Sequence, residues 1–260
     1  MFRSIVCPAV FLVLICCARL IQAQQAAPAT TTCEFTFTAG KSNAYLKYCV
    51  TANGNITQIE TPFGHSHMVF AEGYGICDES PATEYHDYAS GASGNWNPAT
   101  LVSLTNAAVK IARSTGDGNW TLTQTITKVP KTSSITIAMA LRNNQAVDKV
   151  AYLIRYAQVI PNVSDGSPNT YLGATVNGAF AWSSNPPPLF GLQLQNVGTP
   201  PFGFWQAYIK VNGVEPNSCN FAANHAGGFA QWSYGQFVIA YVGLVPALQT
   251  KTVSLSYRGL

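Results

Sequence analysis

From residue 33 onward, apolar and polar positions alternate with a period of two over most of the chain, the pattern of half-buried β-strands. Residues 120–127 show it most clearly, with Trp120, Leu122 and Ile126 on one side and Thr121, Thr123, Thr125 and Thr127 on the other. With residues 107–114 and the Gly116-Asp117-Gly118-Asn119 turn they form a predicted hairpin. Residues 134–142 alternate likewise, with Ile135, Ile137, Met139 and Leu141 inward. Further strands are expected at 34–38, 44–51, 56–61 (entered by the Asn53-Gly54 turn), 101–104, 171–182, 189–194, 206–211, 229–234, 236–242 and 250–257. Residues 147–160 differ, because Val150, Tyr152, Ile154 and Tyr156 alternate with Ala151, Leu153, Ala157 and Val159. Both faces are apolar, which predicts a central strand covered on each side. No amphipathic helix of about ten residues is visible, and no fixed-period repeat points to a propeller or β-helix. The expected fold is all-β: a large antiparallel β-sandwich of two sheets, with more than ten strands and little or no helix.

The start of the chain follows a different rule. Arg3, the apolar run of about 13 residues from Ile5 to Cys17, and a small residue, Ala23, before Gln24 make 1–23 an expected secretory signal peptide. That run, which contains Pro8, is shorter than the roughly 20 apolar residues of a membrane span. Residues 24–32, QQAAPATTT, have no periodicity and read as a flexible stalk, which leaves 33–260 as one β-sandwich domain. Of the 7 cysteines, Cys7, Cys16 and Cys17 fall in the leader; Cys33, Cys49, Cys77 and Cys219 remain. An even number in an exported chain predicts two disulfides, Cys33 with Cys49 and Cys77 with Cys219 among the three possible pairings. The expected location is secreted or periplasmic.

Loss of Arg3 and Arg19 with the leader leaves 12 of 14 basic residues against 11 acidic ones. A balance so close to neutral argues against electrostatic binding of nucleic acid or anionic lipid. Only 10% of residues are charged, so the surface is expected to be polar but largely uncharged.

Candidate chemistry gathers in residues 72–96, EGYGICDESPATEYHDYASGASGNW, which are broken by Gly, Ser and Pro and read as a long loop region. Asp78, Glu79, Glu84 and Asp87 offer hard oxygens, which makes calcium the candidate cofactor, although their spacing is not that of an EF-hand. His65 and His67 form a His-Ser-His spacing that puts both imidazoles on one strand face, with His86 or His225 as a third metal ligand. Arg155 interrupts an apolar strand face and needs a buried partner, with Glu72, Asp78 and Asp87 as candidates. Tyr74, Tyr85, Tyr88 and Trp96, joined by Arg155, are the candidate ligand-binding residues, because aromatic faces flanked by polar groups hold sugars. Glu72, Asp87 and His86 are the catalytic candidates, as a carboxylate pair with a histidine. No serine-hydrolase, metalloprotease, phosphate-loop or dinucleotide signature occurs. Asn55, Asn119 and Asn162 are glycosylation sequons, relevant only in a eukaryotic secretory pathway.

The runs EGYGIC, YHDYA, GNW and DGNWTLTQTIT resemble a group of exported bacterial proteins without an assigned activity, so this likeness carries no catalytic residue across. The strand-rich layout and the NGNITQIETPFG run are similar to the large sandwich of mutarotase-type sugar enzymes, without a matched catalytic His and Glu. The expectation is therefore an exported, non-catalytic sandwich that binds a glycan or another cell-surface partner through the aromatic and acidic surface of 72–96. A carbohydrate-active enzyme, glycosidase or mutarotase-like, is the alternative, and a structural envelope protein the third class.

Overall fold

The computed structural model describes residues 31–161, 170–183, 190–211, 217–220, 228–232 and 235–260. The leader expected at 1–23, most of the stalk, Asn162, the Pro186-Pro187-Pro188 run, His225 and Tyr234 lie outside the described residues. The strands are β1 (Phe35–Ala39), β2 (Leu46–Val50), β3 (Ile56–Glu60), β4 (Ser66–Glu79), β5 (Ala82–Asp87), β6 (Thr100–Leu104), β7 (Ala108–Ser114), β8 (Trp120–Lys128) and β9 (Ser134–Asn143), followed by β10 (Lys149–Ile160), β11 (Thr170–Thr175), β12 (Gly178–Ser183), β13 (Gly191–Asn196), β14 (Phe204–Val211), β15 (Gly228–Trp232), β16 (Gly235–Val245) and β17 (Thr250–Gly259). Among the described residues the only helical element is a single 3-10 turn at Ser42–Ala44.

The strands form two antiparallel sheets. The eight-stranded sheet runs β1-β2-β3-β4-β10-β16-β14 with β5 also on β4, and the nine-stranded sheet runs β15-β11-β12-β13-β17-β9-β8-β7-β6. β4 is long enough for two partners on one edge: its first residues pair with β3 and residues 74–79 pair with β5. Inward residues of both sheets meet in one core that includes Tyr74, Ile76, Trp120, Leu122, Ile137, Leu153, Leu194 and Leu255. The expected two-sheet sandwich is the observed fold. β10 lies between β4 and β16, as its two apolar faces require. Ala151, Leu153, Ala157 and Val159 enter the main core, while Ile154 and Tyr156 join Ala71, Tyr88, Val238 and Ala240 in a second cluster.

Two local readings change. Residues 171–182 are two strands, β11 and β12, because Val176 and Asn177 turn the chain immediately before Gly178. The stretch 72–96 is a loop only in its second part: residues 72–87 complete β4 and form β5, while 88–96 lie outside the strands. The alternation was hidden because polar residues share the inward face of β4 and glycines occupy the other. Glu72, Tyr74, Ile76 and Asp78 are all buried, and at Gly73 a Cβ would lie 1.8 Å from the Asp87 carbonyl oxygen.

Both expected disulfides form, with Cα–Cα distances of 5.5 Å for Cys33–Cys49 and 4.9 Å for Cys77–Cys219. Such bonds fit an oxidising extracellular or periplasmic compartment. Among the described residues no helix is long and apolar enough to cross a membrane.

Candidate functional site

Between the sheets, charged and polar residues meet in one continuous buried network. Arg155 is fully buried; its Nε donates to Glu72 Oε1 at 2.5 Å, and its terminal nitrogens reach Glu72 Oε2 at 2.7 Å, Gln124 Oε1 at 2.5 Å and the Gly54 carbonyl at 3.3 Å. Glu72 also accepts from the Ile56 amide at 2.6 Å and the Tyr257 hydroxyl at 2.9 Å. Burial pushes the Glu72 carboxyl above its ordinary range, against the pull of the Arg155 guanidinium and these donors. A second pair, Arg113 with Asp87 at 2.5 Å, is equally enclosed, and Arg113 also donates to the Tyr74 hydroxyl at 3.2 Å. Asn53 joins the two: its amide donates to Asp87 at 2.8 Å, while its carbonyl accepts from the Tyr74 hydroxyl at 2.9 Å and from Gln124 at 3.3 Å.

This arrangement puts a turn inside the protein. In the β2–β3 connection at 51–55 every residue but Ala52 is buried, and its backbone groups pair with one another and with the side chains of Thr51, Tyr74, Gln124 and Arg155. Gly54 has φ +89, and a Cβ there would lie 2.5 Å from Gln124 Nε2, so both the turn and the close approach require glycine. Asn55 donates to the carbonyls of Glu72 and Asp87 at 2.9 and 3.0 Å and is itself fully buried, so its sequon is closed to modification in the folded protein.

These facts correct the expected ligand surface. Tyr74, Tyr85, Tyr88 and Trp96 are buried, as is Arg155: strand alternation turns Tyr74 of β4 and Tyr85 of β5 into the main core, where Trp96 joins them, while Tyr88, just past β5, packs in the second cluster. Trp96 packs edge-on against Tyr74 with ring centres 5.4 Å apart, the Arg113 guanidinium lies 5.3 Å from its ring centre, and Tyr88 rests on Tyr156 at 4.8 Å. Among the catalytic candidates, Glu72 and Asp87 are sealed inside ion pairs, where no substrate reaches them. His86 lies nearer the surface, stacked on Tyr88 at 4.7 Å with Nδ1 3.0 Å from Glu84 Oε1. Glu84 also accepts from the Ser218 amide at 2.6 Å and from Asn217, so it organises the segment that carries Cys219. Burial alone would raise the Glu84 carboxyl, but its bonds from His86 and Ser218 bring it below the ordinary carboxylate value.

The metal candidates also separate. Among the described residues no three His, Cys, Asp or Glu side chains converge. Asp78 faces Lys149 at 3.5 Å and accepts from Trp120 Nε1 at 3.2 Å, while Glu79 is exposed at the strand end. His65 precedes β4 and stacks on Phe190 with ring centres 3.6 Å apart. His67 is fully buried within β4 and donates from Nε2 to the Thr61 carbonyl at 2.7 Å.

That last bond leads to a site the sequence did not suggest. Thr61 begins the turn between β3 and β4, which forms one wall of a cleft of about 470 Å³ lined by Ser42, Asn43, Thr61, Pro62, Phe63, His65, Ser133, Phe190, Gly259 and Leu260. Five separate chain segments meet there, tied by backbone bonds from Phe63 to Ser42 at 3.2 Å, Gly259 to Ser133 at 3.0 Å and Leu260 to Gly191 at 3.0 Å. Phe63 is 67% exposed, an unusual state for a phenylalanine, and packs edge-on against Tyr45 at 5.1 Å. Thr61 is 1% exposed, and its hydroxyl has no hydrogen-bond partner. Asn43 and Ser133 also line an adjoining cleft of about 540 Å³, which adds Lys131, Thr132, Ser134, Gln195 and Arg258. The single legible signal was Pro62-Phe63-Gly64, an aromatic ring placed in a turn; the remaining walls are distant in sequence.

His67 makes the turn sensitive to acid. Burial lowers its pKa from the ordinary 6.5 to about 4, with a smaller contribution from His65. Above 6.5 the imidazole is neutral whether the chain is folded or not, and its contribution is complete. As pH falls from 6.5 toward 4 the unfolded chain takes the proton first, and about 3 kcal/mol of stability is lost. His67→Gln, which keeps a donor for Thr61, is expected to flatten that limb of the stability profile in urea titrations at pH 7 and pH 4.5. A variant that loses stability as steeply as the parent would show that other groups govern it.

No family model matches the chain, and no curated protein matches it. Solved structures do. A bacterial glucoamylase complexed with acarbose is similar over 90% of this chain and 33% of its own, at 13% identity and a TM-score of 0.59. A heparan sulfate lyase from Pedobacter heparinus is similar over 91% of this chain and 35% of its own, at 8% identity and a TM-score of 0.50. A protein from Escherichia coli K12, provisionally described as an aldose 1-epimerase, aligns over 87% of this chain and 99% of its own, at 11% identity and a TM-score of 0.48. The chain thus spans about a third of the length of the first two, and at these identities the likeness concerns the fold: a sandwich architecture also present in carbohydrate-active proteins.

Proposed function

We propose that this exported sandwich is a non-catalytic carbohydrate-binding protein, and that it binds sugar in the cleft of Phe63, His65 and Phe190 rather than along 72–96. The observation that carries this reading is the pairing of rings with unused polar capacity. An exposed Phe63 and the His65–Phe190 stack flank the cleft, and Thr61 brings an unpartnered hydroxyl to its lining. A pyranose presents a CH-rich face for the rings and hydroxyls for the accessible Asn43, Ser42 and Ser133. The enclosure of Glu72 and Asp87 supports a binding role over hydrolysis, since neither carboxylate faces the cleft or the solvent. The comparison with a glucoamylase and a polysaccharide lyase supports carbohydrate as the ligand class only through the architecture shared with them.

Phe63→Ala and Phe190→Ala are each expected to weaken saccharide binding about tenfold, the loss of one ring contact of roughly 1.4 kcal/mol. Glycan-array binding followed by calorimetry measures this. Unchanged affinity in both variants would move the site elsewhere, and release of sugar by the wild-type protein would replace the binder with an enzyme.

A further inference from the structure

Resting on that reading, we infer that the preferred ligand is an anionic saccharide, with its carboxylate or sulfate groups held by Lys131 and Arg258. The inference starts from an asymmetry of charge. The described chain is nearly balanced in sign and poor in charge, yet the cleft adjoining the aromatic one is lined by two cations, Lys131 and Arg258, and by no acidic side chain. Asn43 and Ser133 belong to both clefts, so a chain of sugars lying against Phe63 and Phe190 continues past them toward the two cations.

Arg258 is an exposed residue of β17, paired in register with Gln193 of β13 and Ser134 of β9, on the outer side of the nine-stranded sheet. Gln195, also on the lining, adds an amide two residues along β13. Lys131 sits in the β8–β9 turn at φ +62, and Ser42, on the lining of the aromatic cleft, has φ +51. Two of the four non-glycine residues with positive φ among the described residues therefore border the joined clefts. Side-chain-bearing residues adopt that region at a cost, and such positions gather where function constrains the backbone. At Ser42 the purpose is visible, because its carbonyl accepts the Phe63 amide at 3.2 Å and fixes the exposed ring. At Lys131 the same conformation brings an ammonium to the rim of the second cleft.

The test uses the full secreted chain and immobilised polymers of defined charge: polygalacturonate for carboxylate, dextran sulfate for sulfate, and unmodified dextran and xylan as neutral controls. The wild type is expected to bind at least one anionic polymer about tenfold more tightly than the neutral ones at low salt, and to lose that margin near 0.5 M salt. The double variant K131Q/R258Q is expected to lose the margin while keeping its neutral-sugar affinity and its melting temperature, both residues being exposed. F63A/F190A is expected to lose binding to both classes. The response to the two anionic polymers separates carboxylate from sulfate recognition. Equal binding of neutral and anionic polymers, or a margin that survives K131Q/R258Q, overturns the charge inference and leaves the sugar site standing. Absence of binding to every polymer overturns both.

Discussion

Replacing Arg155 by methionine is expected to cost about 3–5 kcal/mol of folding stability, enough to lower the melting temperature by about 10 °C in a chain of this size. The guanidinium makes bonds of 2.5 and 2.7 Å to both oxygens of Glu72 and one of 2.5 Å to Gln124, with no solvent contact. Its removal leaves a buried carboxyl without its cation. Burial already pushes that carboxyl upward, so it takes a proton, and Gln124 and the Gly54 carbonyl each lose a donor. Glu72→Gln is expected to do comparable damage from the other side, by leaving the guanidinium unpaired. The double variant R155M/E72Q is expected to be less destabilised than the sum of the singles, because each single leaves an uncompensated group. Urea titration of the four proteins supplies the cycle. An R155M protein within about 1 kcal/mol of wild type would mean that water reaches the pair.

The second large effect concerns covalent closure. Cys77 and Cys219 are separated by 142 positions, Cys33 and Cys49 by 16. In the chain-entropy description, removing the first by C77A/C219A costs about 5 kcal/mol and the second by C33A/C49A about 3. The ranking is reinforced by position. Cys77 lies in β4, three residues from Tyr74 of the buried network, and the segment 217–220 that it holds also bonds to Glu84 through Asn217 and Ser218. Cys33 only fastens the chain leading into the edge strand β1 to β2. The two double variants are to be compared by denaturant midpoint under identical oxidising conditions. A larger loss for C33A/C49A would show that residual structure in the unfolded chain, not loop size, dominates.

Much of the sandwich was legible because strand alternation is a local property. Trp120, Leu122 and Ile126 point inward and the four threonines between and beyond them outward, as expected. The same rule applied to Arg113, which follows Val109 and Ile111 at the same spacing, would have identified the second buried cation. It also applied to Gln124, which the alternation places inward between Leu122 and Ile126, where it receives Arg155. The reading failed where glycine replaced the outward partner. In β4 the glycines at 73 and 75 are small because other backbone and side chains press on them, and in the sequence they looked like loop punctuation. The aromatic surface expected of 72–96 was thereby exchanged for buried rings, and among the described residues the exposed phenylalanines are Phe63 and Phe204.

Read alone, the amino-acid sequence determined the all-β class, the two-sheet sandwich, the inward face of most strands, the centrality of 147–160 and the need of Arg155 for an acidic partner. Each of these follows from residue period and from the cost of burying an unpaired charge, which neighbouring positions already express. Only the tertiary structure decided that Glu72 is that partner, that most of the 51–55 turn is buried, and that five segments far apart in the chain line one cleft. Those outcomes depend on strand order and register over separations of tens to nearly two hundred residues, and a period of two is the same whichever strand lies alongside.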